Sequence, residues 1–197
     1  IQLMKTQPDS AAKLFKQFIL STVDTIPSMN GVTVSNGRLN VNKLLLKANT
    51  INTTGVLNLN AAIEGFYDAS SDQMVSDSAK MYLRSGISPY LLIDSSNSVI
   101  NINTSATFNF SNIFNGTPYY LIITHRNSIE TWSKSVMQFT SGDPIAYDFT
   151  TSKTKAYGDN LILKSGEYCI YGGDVDQNGS VNSADILYIF NNTWGYG

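Results

Sequence analysis

The chain contains one cysteine and one histidine among its 197 residues. A single cysteine, Cys169, excludes an internal disulfide, and one cysteine with one histidine cannot supply the ligand set of a zinc site. We interpret Cys169, within GEYCIY, as a small apolar residue on a strand rather than as a reactive thiol.

Charge and long apolar segments are also scarce. Charged residues make up 14% of the chain, and 13 basic residues face 15 acidic ones without forming a basic cluster. The sequence therefore predicts no surface for nucleic acid or an anionic membrane. No apolar run approaches the roughly 20 residues needed to span a bilayer. The opening IQLMKTQPDS has no signal-peptide pattern, so we expect a processed or partial product.

Catalytic signatures are missing as well. The only histidine, His125, has no serine motif of the G-x-S-x-G kind to serve, so no Ser-His-Asp triad can be assembled. The glutamates Glu64, Glu130 and Glu167 lie in strand-like segments without a glycosidase motif. A phosphate loop and a dinucleotide fingerprint are absent. We predict that this chain is not an enzyme and that His125 is structural or faces solvent.

The residues that are abundant, Asn, Ser, Thr, Tyr and Gly, are typical of short strands joined by polar turns. From about Val56 to Tyr171 apolar and polar residues alternate, in VLNLNAAIEGF, KMYLRS, YLLID, SVINI, ATFNF, YYLIITH, VMQFT, IAYDFT, LILK and EYCIY. This pattern predicts a mainly-β protein with an immunoglobulin- or transthyretin-like β-sandwich. Its expected aromatic core is Phe66, Tyr90, Phe108, Phe110, Tyr120, Trp132, Phe139 and Phe149.

A short helical segment is predicted ahead of the sandwich. Ser10 can cap a helix over about Ala11–Thr22, and RLNVNKLLLK predicts a second short helix. Their apolar positions are Leu14, Phe15, Phe18, Ile19 and Val23 in the first helix and Leu39, Leu44, Leu45 and Leu46 in the second. We therefore divide the chain into a helical segment (1–47), a β-sandwich (48–171) and a C-terminal loop with a helix (172–197).

The helical segment resembles the C-terminal end of the subtilisin-like serine peptidase domain. The resemblance rests on Pro8 before a helix, on KQFIL at 16–20, and on Gly37, Arg38, Leu39 and Asn40 leading into a last helix. It implies a parent peptidase whose Gly-Thr-Ser-Met-Ala motif would lie directly before Ile1. The segments EGFY, SPY, FNF and YDFTTSKTKAYG are similar to β-sandwich modules of large secreted bacterial proteins, which often precede a dockerin-like repeat.

The ending GGDVDQNGSVNSADILYIFNN has oxygen-bearing residues at alternate positions of a twelve-residue loop. These are Asp174, Asp176, Asn178, Ser180, Asn182 and Asp185, at loop positions 1, 3, 5, 7, 9 and 12. A calcium ion takes six or more oxygen ligands from such a loop, and Gly179 permits its sharp turn. The alternative is a polar turn without an ion.

The Asp at position 12 makes the loop resemble one dockerin repeat, whereas dockerins carry two repeats. We therefore predict structural calcium that ties the terminal helix to the end of the sandwich. The helix would make that contact through Ile186, Leu187, Ile189 and Phe190.

Two further surface features are open at this point. Tyr119, Tyr120, Trp132 and Tyr157 either form an aromatic platform for sugar or pack in the core, and core packing is the favoured interpretation. N-x-S/T triplets begin at Asn52, Asn103, Asn109, Asn115, Asn178 and Asn191. All but Asn178, which the calcium loop uses, are candidate glycosylation sites.

These observations predict a non-catalytic module of a secreted bacterial subtilisin-like protein, which acts outside the cell or at its surface in attachment, stabilisation or assembly. One alternative is a structural subunit of an extracellular fibre or surface layer, which self-associates so that neighbouring copies complete it. Another is one piece of a nicked serine peptidase whose catalytic domain is on another chain.

Overall fold

The computed structural model describes residues 12, 16–17, 19–49, 52–140 and 142–193. They belong to two compact units, one within Ile1–Asn52 and the other within Thr53–Gly197. The boundaries at 47/48 and 171/172 stay predictions.

The first unit contains the predicted helical segments. Residues 12, 16–17 and 19–21 are helical, whereas Pro8, Ser10, Leu14, Phe15 and Phe18 lie outside the described residues. The chain continues as follows: β1 Asp24–Thr25, a 3₁₀ turn Pro27–Met29, β2 Gly37–Arg38 and helix α1 Val41–Asn49. β1 and β2 pair antiparallel. The second predicted helix is confirmed as α1, but it begins at Val41, so the prediction was wrong for Arg38, which belongs to β2, and for Leu39, which precedes the helix.

The turn into α1 depends on two residues of the Gly-x-Leu-Asn segment. A Cβ at Gly37 would collide with the carbonyl oxygen of Asp24, so only glycine fits there. Asn40 caps α1, because its side-chain oxygen accepts from the Lys43 amide at 2.9 Å. Its amide also donates to the Asp24 carboxylate at 2.9 Å. The Lys43 ammonium, 2.7 Å from Asp24, and the Asn40 amide lower the pKa of that carboxyl.

The second unit is built from strands. They are β3 Asn52–Asn60, β4 Ala62–Ile63, β5 Tyr67–Asp68, β6 Gln73–Met74, β7 Asp77–Ser85, β8 Leu92–Ile100, β9 Ser105–Phe114, β10 Pro118–His125, β11 Thr131–Trp132, β12 Met137–Gln138, β13 Ile145–Asp148, β14 Ile162–Lys164 and β15 Glu167–Ile170. Two 3₁₀ turns, Lys153–Lys155 and Tyr157–Asp159, separate β13 from β14. Helix α2, Ser183–Thr193, follows the C-terminal loop.

The largest sheet has the order β11-β10-β7-β8, with β12 also paired to β10. Two further sheets have the orders β13-β3-β9 and β14-β15-β4, and β5 pairs with β6. The pairs β3–β13 and β4–β15 are parallel, whereas β10 and β8 flank β7 antiparallel. The predicted mainly-β sandwich is confirmed.

Alternation along the strands decides which side chains enter the core. On β10, Tyr119, Leu121 and Ile123 are buried in the core, whereas Tyr120 and Thr124 lie on the opposite face and are half-buried. The segments YLLID and SVINI, predicted as two strands, contribute the two ends of the single strand β8, which begins at Leu92 and ends at Ile100. The polar run between them contains no Gly or Pro that would interrupt a strand.

The expected aromatic core is confirmed for the phenylalanines and wrong for three other residues. Phe108, Phe110, Phe139 and Phe149 are buried, and Phe66 packs against the core. Tyr90 lies in the turn before β8 and is 42% exposed, whereas Tyr120 and Trp132 are half-buried on the outward face of the large sheet.

Cys169 behaves as the sequence predicts. It is fully buried on β15, and burial raises the pKa of its thiol to about 11. Burial therefore disfavours the thiolate, which is the reactive form of cysteine. Within the part of the chain that the structure describes, no helix is both long and apolar enough to cross a membrane.

Candidate metal centre

The C-terminal loop brings three carboxylates together. Asp174, Asp176 and Asp185 each place a carboxylate oxygen within 4.8 Å of the others, so the cluster could hold a metal ion. The loop follows β15 directly and ends in the first turn of α2.

The loop backbone orients the first two carboxylates. The Asp174 carboxylate accepts from the amides of Asn178 and Gly179, both at 3.0 Å. The Asp176 carboxylate accepts from the Asn178 amide at 3.1 Å and from its side chain at 2.7 Å. These bonds require a tight reversal, which Gly179 makes possible with φ of +83°.

Asp185 joins the two ends of the loop. One of its oxygens accepts from the amides of Val175, at 2.8 Å, and Asp176, at 3.3 Å. The other accepts from the Asn182 amide at 2.9 Å. The Asn182 amide is the largest of the causes that lower the pKa of Asp185, and it outweighs the opposing effect of burial. Asn182 in turn caps α2 by accepting from the Ala184 amide at 2.8 Å.

The electrostatics of the cluster favour a cation. Asp174 and Asp185 are 1% and 3% exposed, so two like charges are held close together away from water. Among the described residues, no Lys, Arg or His forms an ion pair with either of them; the ion pairs of this part involve Asp24, Asp77 and Asp159. Backbone amides stabilise these carboxylates without cancelling their charge, so the cluster carries negative charge that a divalent ion could neutralise. An all-oxygen ligand set suits a hard cation.

The remaining predicted ligands lie on the same loop. Asn178 accepts from the Ser180 amide at 2.9 Å through its side-chain oxygen. The Asn182 side-chain amide points back to the Ser180 carbonyl at 3.4 Å. All three residues are exposed. Their roles as ligands stay predictions.

The loop is attached to the sandwich by contacts that the sequence did not reveal. The Gln177 side-chain amide donates to the carbonyls of Asp174, at 2.5 Å, and Ser128, at 3.3 Å. The Gly173 amide donates to the Asn127 carbonyl at 2.9 Å. Asn127 and Ser128 belong to the turn between β10 and β11. Gln177 occupies a loop position with no ligand role, so no spacing rule identifies it.

Helix α2 does not pack as predicted. Ile186, Leu187, Ile189 and Phe190 are between 47% and 71% exposed, so the expectation that they cover the end of the sandwich is wrong. The helix is connected to the loop through polar contacts of Asp185 and Asn182 instead. These contacts use the helix N-terminus and leave Ile186, Leu187 and Ile189 largely exposed.

His125 is a structural residue. It is 2% exposed, its Nε2 lies 3.2 Å from the Asp77 carboxylate, and its Nδ1 accepts from the Asn127 amide at 3.2 Å. Burial lowers its pKa and outweighs the opposite effect of Asp77. The ring is thus neutral with its proton on Nε2, and it contacts Phe66 edge to face. Neither nitrogen is available to take a proton from a nucleophile.

The other predicted surface sites are distributed over the second unit. Tyr119 belongs to the core, whereas Tyr120, Trp132 and Tyr157 line an open cavity with Tyr90. The favoured core interpretation is therefore wrong for three of the four residues of the platform.

The candidate glycosylation sites are exposed wherever their side chains are described. These are Asn103, Asn109, Asn115 and Asn191. Asn52 begins β3, and its side chain lies outside the described part. Glycosylation stays a prediction.

Comparison with known proteins identifies no family for this chain. No protein-family model matches the chain, and no curated protein matches it. Among solved structures, it is similar to a chain of the crystal structure of an N-terminal interface mutant of a type II cohesin-X-dockerin complex from Acetivibrio cellulolyticus. The identity is 15% and the TM-score 0.33, over 71% of this chain and 72% of that chain.

Proposed function

We propose that this chain is a non-catalytic extracellular module whose C-terminal loop binds calcium as a structural ion. The observation that carries the proposal is the convergence of Asp174, Asp176 and Asp185. These are positions 1, 3 and 12 of a loop whose remaining ligand positions also carry oxygen donors. Loops of this kind in extracellular modules bind calcium in the millimolar range found outside cells.

Calcium would act on stability rather than on chemistry. Bound calcium neutralises the buried carboxylates and holds the start of α2 against the start of the loop, which Asp185 already connects. The loop and the start of α2 are then fully ordered only where calcium is present. Calcium is abundant outside cells, so this dependence is compatible with attachment, stabilisation or assembly at the cell exterior. The same calcium dependence is compatible with a secreted bacterial protein.

The proposal is tested by thermal unfolding with calcium or with EGTA. We expect calcium to raise the melting temperature, with a stabilisation of about 2.7 kcal/mol at a concentration 100 times Kd. Asp174→Ala should abolish the difference. Asp143→Ala, at an exposed aspartate outside the loop, is the matched control and should retain it. A wild-type melting temperature that is the same in calcium and EGTA would contradict the proposal.

We also propose that this chain has no enzymatic activity of its own. The engagement of both His125 nitrogens supports this, because a catalytic base needs one of them free. Cleavage of a fluorogenic casein substrate by the purified chain, blocked by a serine-protease inhibitor, would refute it.

The parentage in a subtilisin-like protein, with one dockerin-like repeat at the end, belongs to the same proposal. It is supported by the roles of Gly37 and Asn40 in the turn before α1 and by the loop spacing. The coding sequence upstream of Ile1 tests it: we expect a Gly-Thr-Ser-Met-Ala motif there, and another domain in that place would refute it.

Assembly with further copies of the chain is a second candidate function. The observation that favours it is the exposure of Ile186, Leu187, Tyr188 and Ile189 on α2, each at 47% or more. Apolar surface of this kind is typical of contact sites. Concentration-dependent association in sedimentation velocity, or regular polymers in electron micrographs, would support it, whereas a monomer at all concentrations would exclude it.

A further inference from the structure

An aromatic cavity opens on the outward face of the large sheet. Tyr90, Tyr120, Trp132 and Tyr157 line it, and its volume is about 310 Å³. This volume lies at the lower end of the range of small-molecule pockets. The cavity uses no residue of the metal loop.

Strand pairing places these aromatic residues side by side. Trp132 pairs with Ile122, two residues along β10 from Tyr120, so that Tyr120 and Trp132 share one face. After β11 the chain forms an antiparallel bridge between Ser133 and Ala156, which brings Tyr157 beside Trp132.

Three of the rings form a closed cluster. The ring centroids of Tyr90 and Tyr120 are 5.8 Å apart, those of Tyr90 and Trp132 6.2 Å, and those of Tyr120 and Trp132 5.9 Å. The interplanar angles of 77°, 85° and 54° make these edge-to-face or tilted contacts. Because the rings already contact one another, they leave no space between them for a caged quaternary ammonium ion. The outer surfaces of the three rings remain for a ligand to contact. Tyr157, which is 70% exposed, forms a further wall of the cavity.

Polar contacts hold this cluster in place. The Arg84 guanidinium lies 5.7 Å from the centre of the Trp132 ring and donates to the Tyr90 carbonyl at 3.2 Å. The Trp132 Nε1 donates to the Glu130 carboxylate at 2.7 Å. Rings fixed in advance lose little entropy when a ligand binds.

Tyr90 itself has a φ of +53°. Bulky residues rarely adopt this left-handed conformation, and such strain concentrates at ligand sites.

Charged residues of both signs contact the cluster or follow its aromatic residues in the sequence. Arg84 and Glu130 contribute one charge of each sign, and Lys134 pairs with Asp159 at 3.6 Å. Glu130, which accepts from the Trp132 indole, is exposed, and so are Lys134 and Asp159, which lie two residues after Trp132 and Tyr157 in the sequence. These side chains offer donors and acceptors to a ligand. A ligand matched to these surroundings is neutral, has an apolar face for the rings and carries hydroxyl groups for the charged side chains.

We propose that this cavity binds a neutral carbohydrate. The apolar face of one sugar ring packs on Trp132 and Tyr157, and its hydroxyl groups bond to the carboxylates of Glu130 and Asp159. A proline-rich peptide also docks in aromatic grooves. It fits less well here, because the indole donor that would reach a peptide carbonyl is already bonded to Glu130. Stacking of a sugar needs only the face of the indole.

The test is affinity gel electrophoresis of the full chain in gels that contain hydroxyethyl cellulose, xylan, galactomannan or soluble starch. A neutral-glycan array and the quenching of tryptophan fluorescence complement it. We expect retardation in at least one polysaccharide. Tyr157→Ala and Trp132→Ala should each weaken binding by about tenfold or more, as truncation of a central aromatic contact does.

Tyr188→Ala, at an exposed tyrosine on α2, is the matched control and should bind as the wild type does. Tyr157 is mostly exposed, so Tyr157→Ala keeps the test valid even if Trp132→Ala does not fold. The proposal is overturned if no polysaccharide or arrayed glycan binds, or if Tyr157→Ala binds as well as the wild type. It is also overturned if decaproline or tetramethylammonium quenches the fluorescence and sugars do not. Loss of calcium binding in Asp174→Ala with sugar binding retained would separate this site from the proposed calcium function.

Discussion

The body of the sandwich and the C-terminal loop both bury side chains, but they bury different kinds. The body buries phenylalanines and aliphatic residues, whose removal from water is itself favourable. The loop buries Asp174 and Asp185, whose like charges lie close together and whose oxygens accept hydrogen bonds from backbone amides. We therefore expect the stability of the body to be intrinsic and that of the loop, if it binds calcium as proposed, to depend on the cations in solution.

The largest effect is expected in the body. Phe139 is fully buried, with its ring centroid 5.7 Å from that of Phe110. Phe139→Ala should lower the free energy of unfolding by about 3–5 kcal/mol, because it leaves a cavity. Denaturant unfolding measures it. Phe114→Ala, at a residue that is 41% exposed, should lower the free energy of unfolding far less. Equal losses of stability in the two variants would contradict the contrast between the buried body and its exposed surface.

The next largest effect is local to the loop. Asp185→Ala removes the acceptor of the Val175, Asp176 and Asn182 amides. In calcium, hydrogen exchange of these amides should rise by about tenfold or more, while the amides of β7 and β10 keep their protection. Exchange that rises equally in both regions would show that loop and body unfold as one cooperative unit.

A smaller effect is expected from pH on the free energy of unfolding of the body. Burial lowers the pKa of His125 below its ordinary 6.5. The unfolded chain therefore binds a proton more readily than the folded one. The resulting stabilisation is complete above pH 6.5 and is lost as the pH falls from there toward the lower pKa of the folded state.

One such proton can change the free energy of unfolding by at most about 1.4 kcal/mol per pH unit. Chemical denaturation in EGTA between pH 7.5 and 5 measures this slope. The variant His125→Gln should show a smaller slope, and an equal slope would assign the pH dependence to other groups.

The smallest effect is expected on α2. Leu187 is 57% exposed, so Leu187→Ser should change the stability of the monomer by no more than about 0.5 kcal/mol. Calorimetry at low protein concentration measures this. A larger loss would mean that the helix is covered in solution, and the contrast between a packed body and an uncovered helix would then fail.

The strands and the metal loop could be predicted from sequence because their signals are local. Alternation with turn residues locates β7, β9 and β10, and the ligand spacing locates the loop within one short segment. The assignment of Tyr120 and Trp132 failed for a physical reason. In YYLIITH both faces of the strand carry apolar or aromatic residues, so alternation cannot tell which face is buried.

Contacts between segments that are distant in the sequence could not be predicted. Gln177 and Ser128 are 49 residues apart, and the cavity combines residues from four separate segments. Such pairings depend on the order of strands in the sheet, which no local pattern contains.

The bond from Gln177 to the Ser128 carbonyl has a consequence for the lifetime of the protein among proteases. It joins the C-terminal loop to the turn before β11, and it depends on the loop keeping its shape. If the loop binds calcium as proposed, withdrawal of calcium should break this hydrogen bond before the sandwich unfolds and should expose the loop and α2 to proteases. On that proposal, the calcium concentration around the protein would set how fast proteases remove α2.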